Sequence, residues 1–344
     1  MDIRTATNSY EKWLASRTAV IRGDLRRKHE RMRESPFVFL RATYYRWSAA
    51  CPELCRKIYD GPRVLSVGDL HVENFGTWRD REGRLVWGVN DVDDAATLPF
   101  TNDLIRLATS AALAQHDARL SVRLRDVCDA ILEGYSASLA VGGRPIVLAE
   151  RGRWLRDLAT GQLRDPIRFW EKLQALPRAK GAIPTRALRL LMPREAGEWR
   201  VCTRVAGIGS LGRRRFVAIA EWIGGLIARE AKVFVGSEAS ARRLIASRSL
   251  ASDPFLAIAD GWIVRRLAPD CSRIDLDQLP RRRDERRLLR AMGFEAATIH
   301  ATGAAAAARV RRDLRGRGAR WLERAAETMV ESTIQDWEDW KHKR

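Results

Sequence analysis

The chain has few of the features that announce a function. Its 344 residues include five cysteines, Cys51, Cys55, Cys128, Cys202 and Cys271, and none form a CxxC pair. The odd number and irregular spacing argue against a disulfide framework and against a zinc site. Buried thiols in a reducing compartment fit them better, so a cytoplasmic location is expected. Long apolar runs are also missing. The longest, Phe216–Ala228, is interrupted by Glu221 and is too short to cross a bilayer, so no membrane insertion is expected. The opening "MDIRTATNSYEKW" lacks the apolar core of a signal peptide. There is no internal repeat and no low-complexity stretch apart from the Ala/Arg-rich Ala304–Arg317. Lysine is scarce: Lys232 is the only one between Lys180 and Lys341.

Arginine supplies most of the positive charge. The net charge is +19, the pI about 10.7, and 46% of residues are hydrophobic. That composition belongs to a folded chain with a sizeable core, and its charge is compatible with nucleic acid, an anionic surface or phosphorylated ligands. The arginines are spread along the sequence, with local runs such as Arg213–Arg215. A soluble surface shaped by codon usage accounts for that spread ahead of a dedicated nucleic-acid face.

Periodicity divides the chain. Residues 8–33 read as one charged amphipathic helix, and "SPFVFLRATYYRW" follows as an aromatic helix or strand after the break at Pro36. Leu85–Asn90 predicts a short strand, and 101–116 and 120–140 predict helices, with Leu104, Leu107, Ala108 and Ala111 on one face. From Trp199 the pattern alternates as in a strand, and "RRFVAIAEW", "LIAREAKVFV" and "GWIVRRLA" continue it. After Pro280 the chain turns helical again. One helix is expected to end at Gly303 as a C-cap, and another to cover 319–341. The expected units are therefore 1–198 and 271–344, two parts of a helical region, with a β-rich unit at 199–270 between them.

Two stretches carry chemistry. "SVGDLHVENFGTW", Ser66–Trp78, places Asp69 and Asn74 five residues apart. "LVWGVNDVDDA" then runs as an apolar strand into Asp91, Asp93 and Asp94, whose mutual repulsion calls for a cation or a hydrogen-bond network. Phosphoryl transfer from a nucleotide needs such a set: one carboxylate to orient the acceptor's hydroxyl, and an amide oxygen with a second carboxylate to hold magnesium. Asp69 and Asn74 alone would also suit an Asx-type turn, but the combined string does not reduce to one.

"GDLHVEN" followed by "NDVDDA" resembles the "HGDLHPGN…IDWEDA" signature of aminoglycoside and choline kinases, within the protein-kinase-like superfamily. Together with "SPFVFLR", "GIGSLGRR" and "AATIHATG", in that order from about residue 30 to 305, the chain more closely resembles the bacterial domain of unknown function 2252 family. The resemblance implies roles. Asp69 would be the catalytic aspartate, Asn74 and Asp91 the metal ligands with Asp93 a second candidate, and His71 a residue that pins the loop. Asp103 in "NDLIRLA" would brace the loop from the next helix. Relatives with "HGD" carry a histidine two residues before the aspartate, where this chain has Val67.

Only 65 residues precede Ser66, and they hold no glycine cluster. The phosphate clamp is therefore sought downstream. "GIGSLG" places Gly207, Gly209, Ser210 and Gly212 between two strand candidates, the setting of a kinase phosphate-covering loop rather than of a dinucleotide-binding turn, which would open a helix. Lys232, twenty residues after Gly212, suits the phosphate-pairing lysine, with Arg229 as its rival on the opposite face of the strand. Glu230 or Glu238 would be its acidic partner. Moving the first half of the chain behind the second restores the ordinary kinase order. The expected fold is thus α+β, a two-lobed protein-kinase-like fold in circularly permuted order. The expected ligands are ATP, Mg2+ and a small hydroxyl-bearing acceptor. Nucleotide binding without transfer, and nucleotidyl transfer, are the alternatives. A basic nucleic-acid-binding protein ranks last, because it leaves Asp91–Asp94 unexplained.

Overall fold

The computed structural model describes residues 1–342 except 118, 149, 151, 162–164, 248–250, 252, 275, 277, 278, 280 and 281. The break expected at Pro280 lies outside the described residues. The architecture is mixed α/β, rich in helix, with three small antiparallel sheets.

The first half builds a helical layer around two short sheets. Helices α1 (Ile3–Arg17) and α2 (Arg22–Arg31) replace the single helix expected over 8–33. The chain is extended at Thr18, and Ile21 donates its N–H to Gly212 O (2.9 Å), so the break seats α2 against a distant turn. Ser35 caps α3 (Pro36–Ala42) through Val38 N–H (3.3 Å), with Pro36 in the first turn where no donor is needed. Helices α4 (Tyr44–Leu54) and α5 (Arg56–Tyr59) lead into β1 (Arg63–Ser66). Strands β2 (Phe75–Arg79) and β3 (Leu85–Val89) form a hairpin, and β4 (Ala96–Pro99) pairs with β1, Ser66 opposite Ala96.

Helix α6 (Thr101–His116) is buried along most of its length, and α7 (Leu124–Ala140) packs beside it. β5 (Ile146–Val147) completes the sheet of β2 and β3. Three helices follow, α8 (Arg153–Gly161), α9 (Pro166–Gln174) and α10 (Thr185–Arg189).

A five-stranded sheet comes next, in the order β6-β7-β8-β10-β9, with α11 (Glu238–Ser247) beside it. Its strands are β6 (Arg200–Thr203), β7 (Arg215–Trp222), β8 (Gly225–Val233), β9 (Leu256–Ala259) and β10 (Trp262–Leu267). They lie where the sequence alternates. Cys202, Val217, Ile219 and Ala228 face a cluster with Phe169 and Leu173 of α9. Ala218, Ala231 and Val264 face another with Leu188 of α10.

The chain then returns to the helical layer as α12 (Arg282–His300), α13 (Ala304–Gly316) and α14 (Trp321–His342). Gly303, expected to close α12, instead starts α13, with φ 118°. Helices α7 and α12 meet through two glycines. A Cβ on Gly134 would lie 1.8 Å from Arg290 O, and one on Gly293 would lie 2.1 Å from Ile131 O. Only a residue without a side chain lets the two backbones approach so closely. Among the described residues, no helix is long and apolar enough to cross a membrane, and the cysteines are free thiols.

Candidate active site

Loop 67–74 leaves β1 and is held by one stripe of α6. Asp103, Arg106 and Ser110 fall at i, i+3 and i+7, the spacing of one helical face. Each grips a different point. The Asp103 carboxylate accepts from Val67 N–H (2.7 Å) and Gly68 N–H (3.0 Å). Arg106 donates to Asp69 Oδ1 through Nε (2.9 Å) and Nη2 (2.6 Å). Ser110 Oγ accepts from Val72 N–H (3.1 Å). Asn102, next to Asp103, donates to Gly68 O (3.2 Å). Gly68 has φ 83°, and a Cβ there would lie 2.2 Å from Asp94 O, so this loop and the Asp91–Asp94 turn are interlocked.

Asp103 is itself fixed. It can only accept, so His300 of α12 donates to it from Nε2 (3.0 Å), and His300 Nδ1 accepts from the Tyr135 hydroxyl (2.7 Å). All three groups are buried. The bracing expected of Asp103 is thus a relay reaching through two further helices.

Within the loop, Asn74 donates its side-chain N–H to Asp69 O (2.8 Å), which leaves the amide oxygen as its ligating atom. His71 Nδ1 accepts from Glu73 N–H (3.2 Å), so its proton sits on Nε2. Burial, then the charges of Arg41 and Arg106, hold this imidazole well below its ordinary pKa, so it is neutral. Burial pushes the Asp69 carboxyl up, and Arg106 offsets part of that.

Across the same cavity lies the glycine turn between β6 and β7. Gly207 has φ 73°, and Ile208–Ser210 form one 3-10 turn. Arg215 donates to Ser210 Oγ (2.7 Å) and tethers the turn to β7. Gly212, with φ 97°, lies against Leu25 of α2, where a Cβ would come within 2.5 Å of Leu25 Cδ2. The cavity measures about 940 Å3, and Asp69, Asn74, Asp91, Asp93, Gly207 and Gly209 all line it.

Lys232 is buried and does not line the cavity, but it reaches the acidic turn from β8. Its ammonium lies 2.6 Å from Asp93 Oδ2 and 3.5 Å from Asp91 Oδ1, and Arg213 adds a second cation 2.9 Å from Asp93 Oδ2. Desolvation would raise the Asp91 carboxyl, but Lys232, Arg265 and Arg215 outweigh it and hold the group below the usual carboxylate range. Asp94 is pushed up to about 7, first by burial and then by the charge of Asp69, against Arg213. Neither expected acid partners Lys232. Glu230 instead binds Arg204, Arg215 (2.7 Å) and Arg265 (2.9 Å), and Glu238 binds Arg242 (2.7 Å). Arg229 points to the opposite face of β8, donates to Leu191 O (2.8 Å) and stacks 4.5 Å from the Phe255 ring centroid.

Among the described residues no three His, Cys, Asp or Glu side chains converge on a metal position. The donor set nonetheless suits magnesium, which takes one or two protein ligands and fills its remaining sites with phosphate and water. Asn74 offers its amide oxygen and Asp91 a carboxylate whose side chain is 44% exposed. Asp93 Oδ1 is buried without a hydrogen-bond partner, while Oδ2 takes both cations.

These features define a mixed α/β protein with a polar cleft, a glycine turn on one wall and a braced acidic loop on the other. Residues 21–155 match the model of a family described as "Uncharacterized protein conserved in bacteria (DUF2252)", and over that segment the chain is similar to it. The matched segment holds Asp69, Asn74, Asp91, Asp93 and Asp103, while the glycine turn and Lys232 lie beyond it. No curated protein and no solved structure matches the chain.

Sequence spacing singled out Asp69, Asn74, Asp91, Asp93 and the glycine turn, which the fold brings to one cavity, and Lys232, which it sets beside Asp91 and Asp93 outside the lining. It missed Arg106, Arg213 and the arginines around Glu230. Arg106 was accessible from its place three residues after Asp103 in an otherwise apolar helix. The others depend on which strand neighbours which.

Proposed function

We propose that the protein is an ATP- and Mg2+-dependent phosphotransferase with a two-lobed, kinase-like arrangement in circularly permuted order. One observation carries this reading: Asp69, Asn74, Asp91 and Gly207–Ser210 line a single cavity, and the buried Lys232 meets Asp91 and Asp93 from behind that lining, although these residues are far apart in the chain. In this scheme the acceptor hydroxyl forms a bond to the γ-phosphorus, the bond to the β–γ bridging oxygen breaks, and ADP leaves. The hydroxyl proton passes to Asp69 Oδ2, since Oδ1 is engaged by Arg106. The backbone of Gly207–Gly212 lies close to the phosphates, and Lys232 neutralises them. Asn74 and Asp91 would hold magnesium, which supplies charge neutralisation to the phosphates.

The test is ADP formation across a panel of hydroxylated metabolites, with magnesium present and chelated, and with Asp69→Asn as control. Loss of a positioned proton acceptor should lower turnover roughly 10²–10⁴-fold. Equal turnover in the variant sinks the assignment.

A second reading rests on the two-donor grip of Arg106 on Asp69, which engages Oδ1 in an ion pair rather than leaving it to an acceptor. It describes a nucleotide-binding protein without transfer. Calorimetry showing magnesium-dependent ATP binding, with no product from any acceptor, would favour it.

A further inference from the structure

Two carboxylates beside the cavity are each ringed by three arginines: Glu73 lines it, and Glu230 is buried behind its wall. Glu230 sits behind the glycine turn with Arg204, Arg215 and Arg265. Glu73 sits beside the acidic loop with Arg41 (2.8 Å), Arg273 (3.0 Å) and Arg119 (3.3 Å). Each ring sets three guanidiniums on one carboxylate. Across the described residues that line the cavity there are nine arginines and six acids.

One ring suffices for a nucleotide. Arg215 of the Glu230 ring also holds Ser210 in the glycine turn, which places that ring with the phosphates. The Glu73 ring belongs to the other wall. Arg41 lowers the pKa of both Asp69 and His71, and Arg273 acts on His71 in the same sense, so the ring lies within electrostatic reach of the candidate base. It is also preorganised: Arg41 and Arg119 lie 5.5 and 5.8 Å from the Phe37 ring centroid. Arg41 Nε is buried and has no hydrogen-bond partner among the described residues. A buried donor left unmet is a cost to the fold.

Resting on the phosphotransferase reading, we propose that the acceptor is itself an anion. It is a hydroxyl compound bearing a phosphate or carboxylate that Arg41, Arg119 and Arg273 hold while its hydroxyl faces Asp69. A polycationic acceptor of the aminoglycoside kind is repelled by the same ring.

The probe is inorganic phosphate, titrated by calorimetry into the full-length chain saturated with Mg2+ and a non-hydrolysable ATP analogue. Filling the nucleotide ring leaves the Glu73 ring as the remaining anion site. The expected result is one phosphate bound, not displaced by kanamycin, with Arg119→Gln and Arg273→Gln each weakening it roughly tenfold or more. Either of two outcomes overturns the proposal: no phosphate binding by the saturated wild-type chain, or binding that both variants leave unchanged, which marks an adventitious ion only. A fall in analogue affinity in place of phosphate affinity assigns the ring to the nucleotide and also overturns it. If the chain binds no nucleotide, the phosphotransferase reading fails by itself, and phosphate titrated alone still reports on the ring. Wild-type titration needs no variant to fold, and circular dichroism checks the two that are made.

Discussion

The Lys232 ammonium stands 2.6 Å from the Asp93 carboxylate, bringing a strand of the five-stranded sheet onto the turn that follows β3. That contact ties the sheet to the acidic loops. Lys232→Met removes it and exposes Asp91 and Asp93 to their mutual repulsion. Affinity for Mg–ATP, followed by calorimetry, should fall roughly tenfold or more, the scale of a lost charge-assisted contact. Arg229→Met on the opposite face should change it by less than about threefold. Equal effects of the two changes would contradict the assignment of Lys232.

Asp103 satisfies two buried backbone N–H groups and His300 at once. Asp103→Ala strands these donors and removes the bond from Asn102 Nδ2 (3.1 Å), so unfolding free energy should drop by roughly 3–5 kcal/mol. Urea denaturation measures this. Asp103→Asn keeps the shape but offers only one oxygen as acceptor, so its loss should be smaller. A fully stable Ala variant would mean that water replaces the carboxylate.

The crossing of α7 and α12 predicts a steric effect without charge. Gly293→Ala places a methyl against Ile131 O, closer than any real contact, and the helices must separate. Destabilisation of roughly 2–4 kcal/mol is expected, beyond the small gain alanine brings to an exposed helix. Gly316→Ala, where no atom lies nearby, is the control and should stay within about 1 kcal/mol of the wild type. Thermal melts of the pair decide the matter.

Lys28 gives a pH prediction. It is buried in α2, its ammonium 5.2 Å from the Tyr10 ring and 5.4 Å from the Tyr45 ring. Burial, then repulsion from Arg213, lowers its pKa from 10.5 to about 8. A depressed lysine penalises the folded state while both states are charged, fully so below about 8. As pH rises from there through 10.5 the unfolded chain binds more protons than the folded one, and the penalty fades. Lys28→Met should therefore be more stable than wild type near neutral pH, by about 2 kcal/mol, with the gap narrowing towards pH ~10. Urea midpoints at the two pH values test this. A less stable variant at neutral pH would show that the two tyrosine rings more than offset the burial cost.

How much was legible in the sequence varied with the origin of each feature. β6, β7, β8 and β10 followed from local sequence pattern, and the acidic loop from its own spacing, whereas the short edge strand β9 was not expected. The division of α1 from α2 was not visible, since it depends on Ile21 bonding to Gly212, a partner far along the chain. Gly303 could be recognised as a boundary, but whether it closed one helix or opened the next depended on the backbone at that point. Arg106 and Ser110 shared a face with Asp103 and could have been found by extending the same helical count. Glu230 could not. Its neighbours Arg204, Arg215 and Arg265 come from a turn and two strands, and only sheet order brings them together.

Arg4 donates to Trp340 O (3.0 Å) and stacks 5.1 Å from its ring centroid, so the first helix and the last are neighbours. A short covalent bridge between those two helices would join points already in contact. It would leave the cleft untouched and act almost wholly on the unfolded ensemble, closing a loop of most of the chain's length. Entropy lost from that ensemble is worth on the order of 5 kcal/mol.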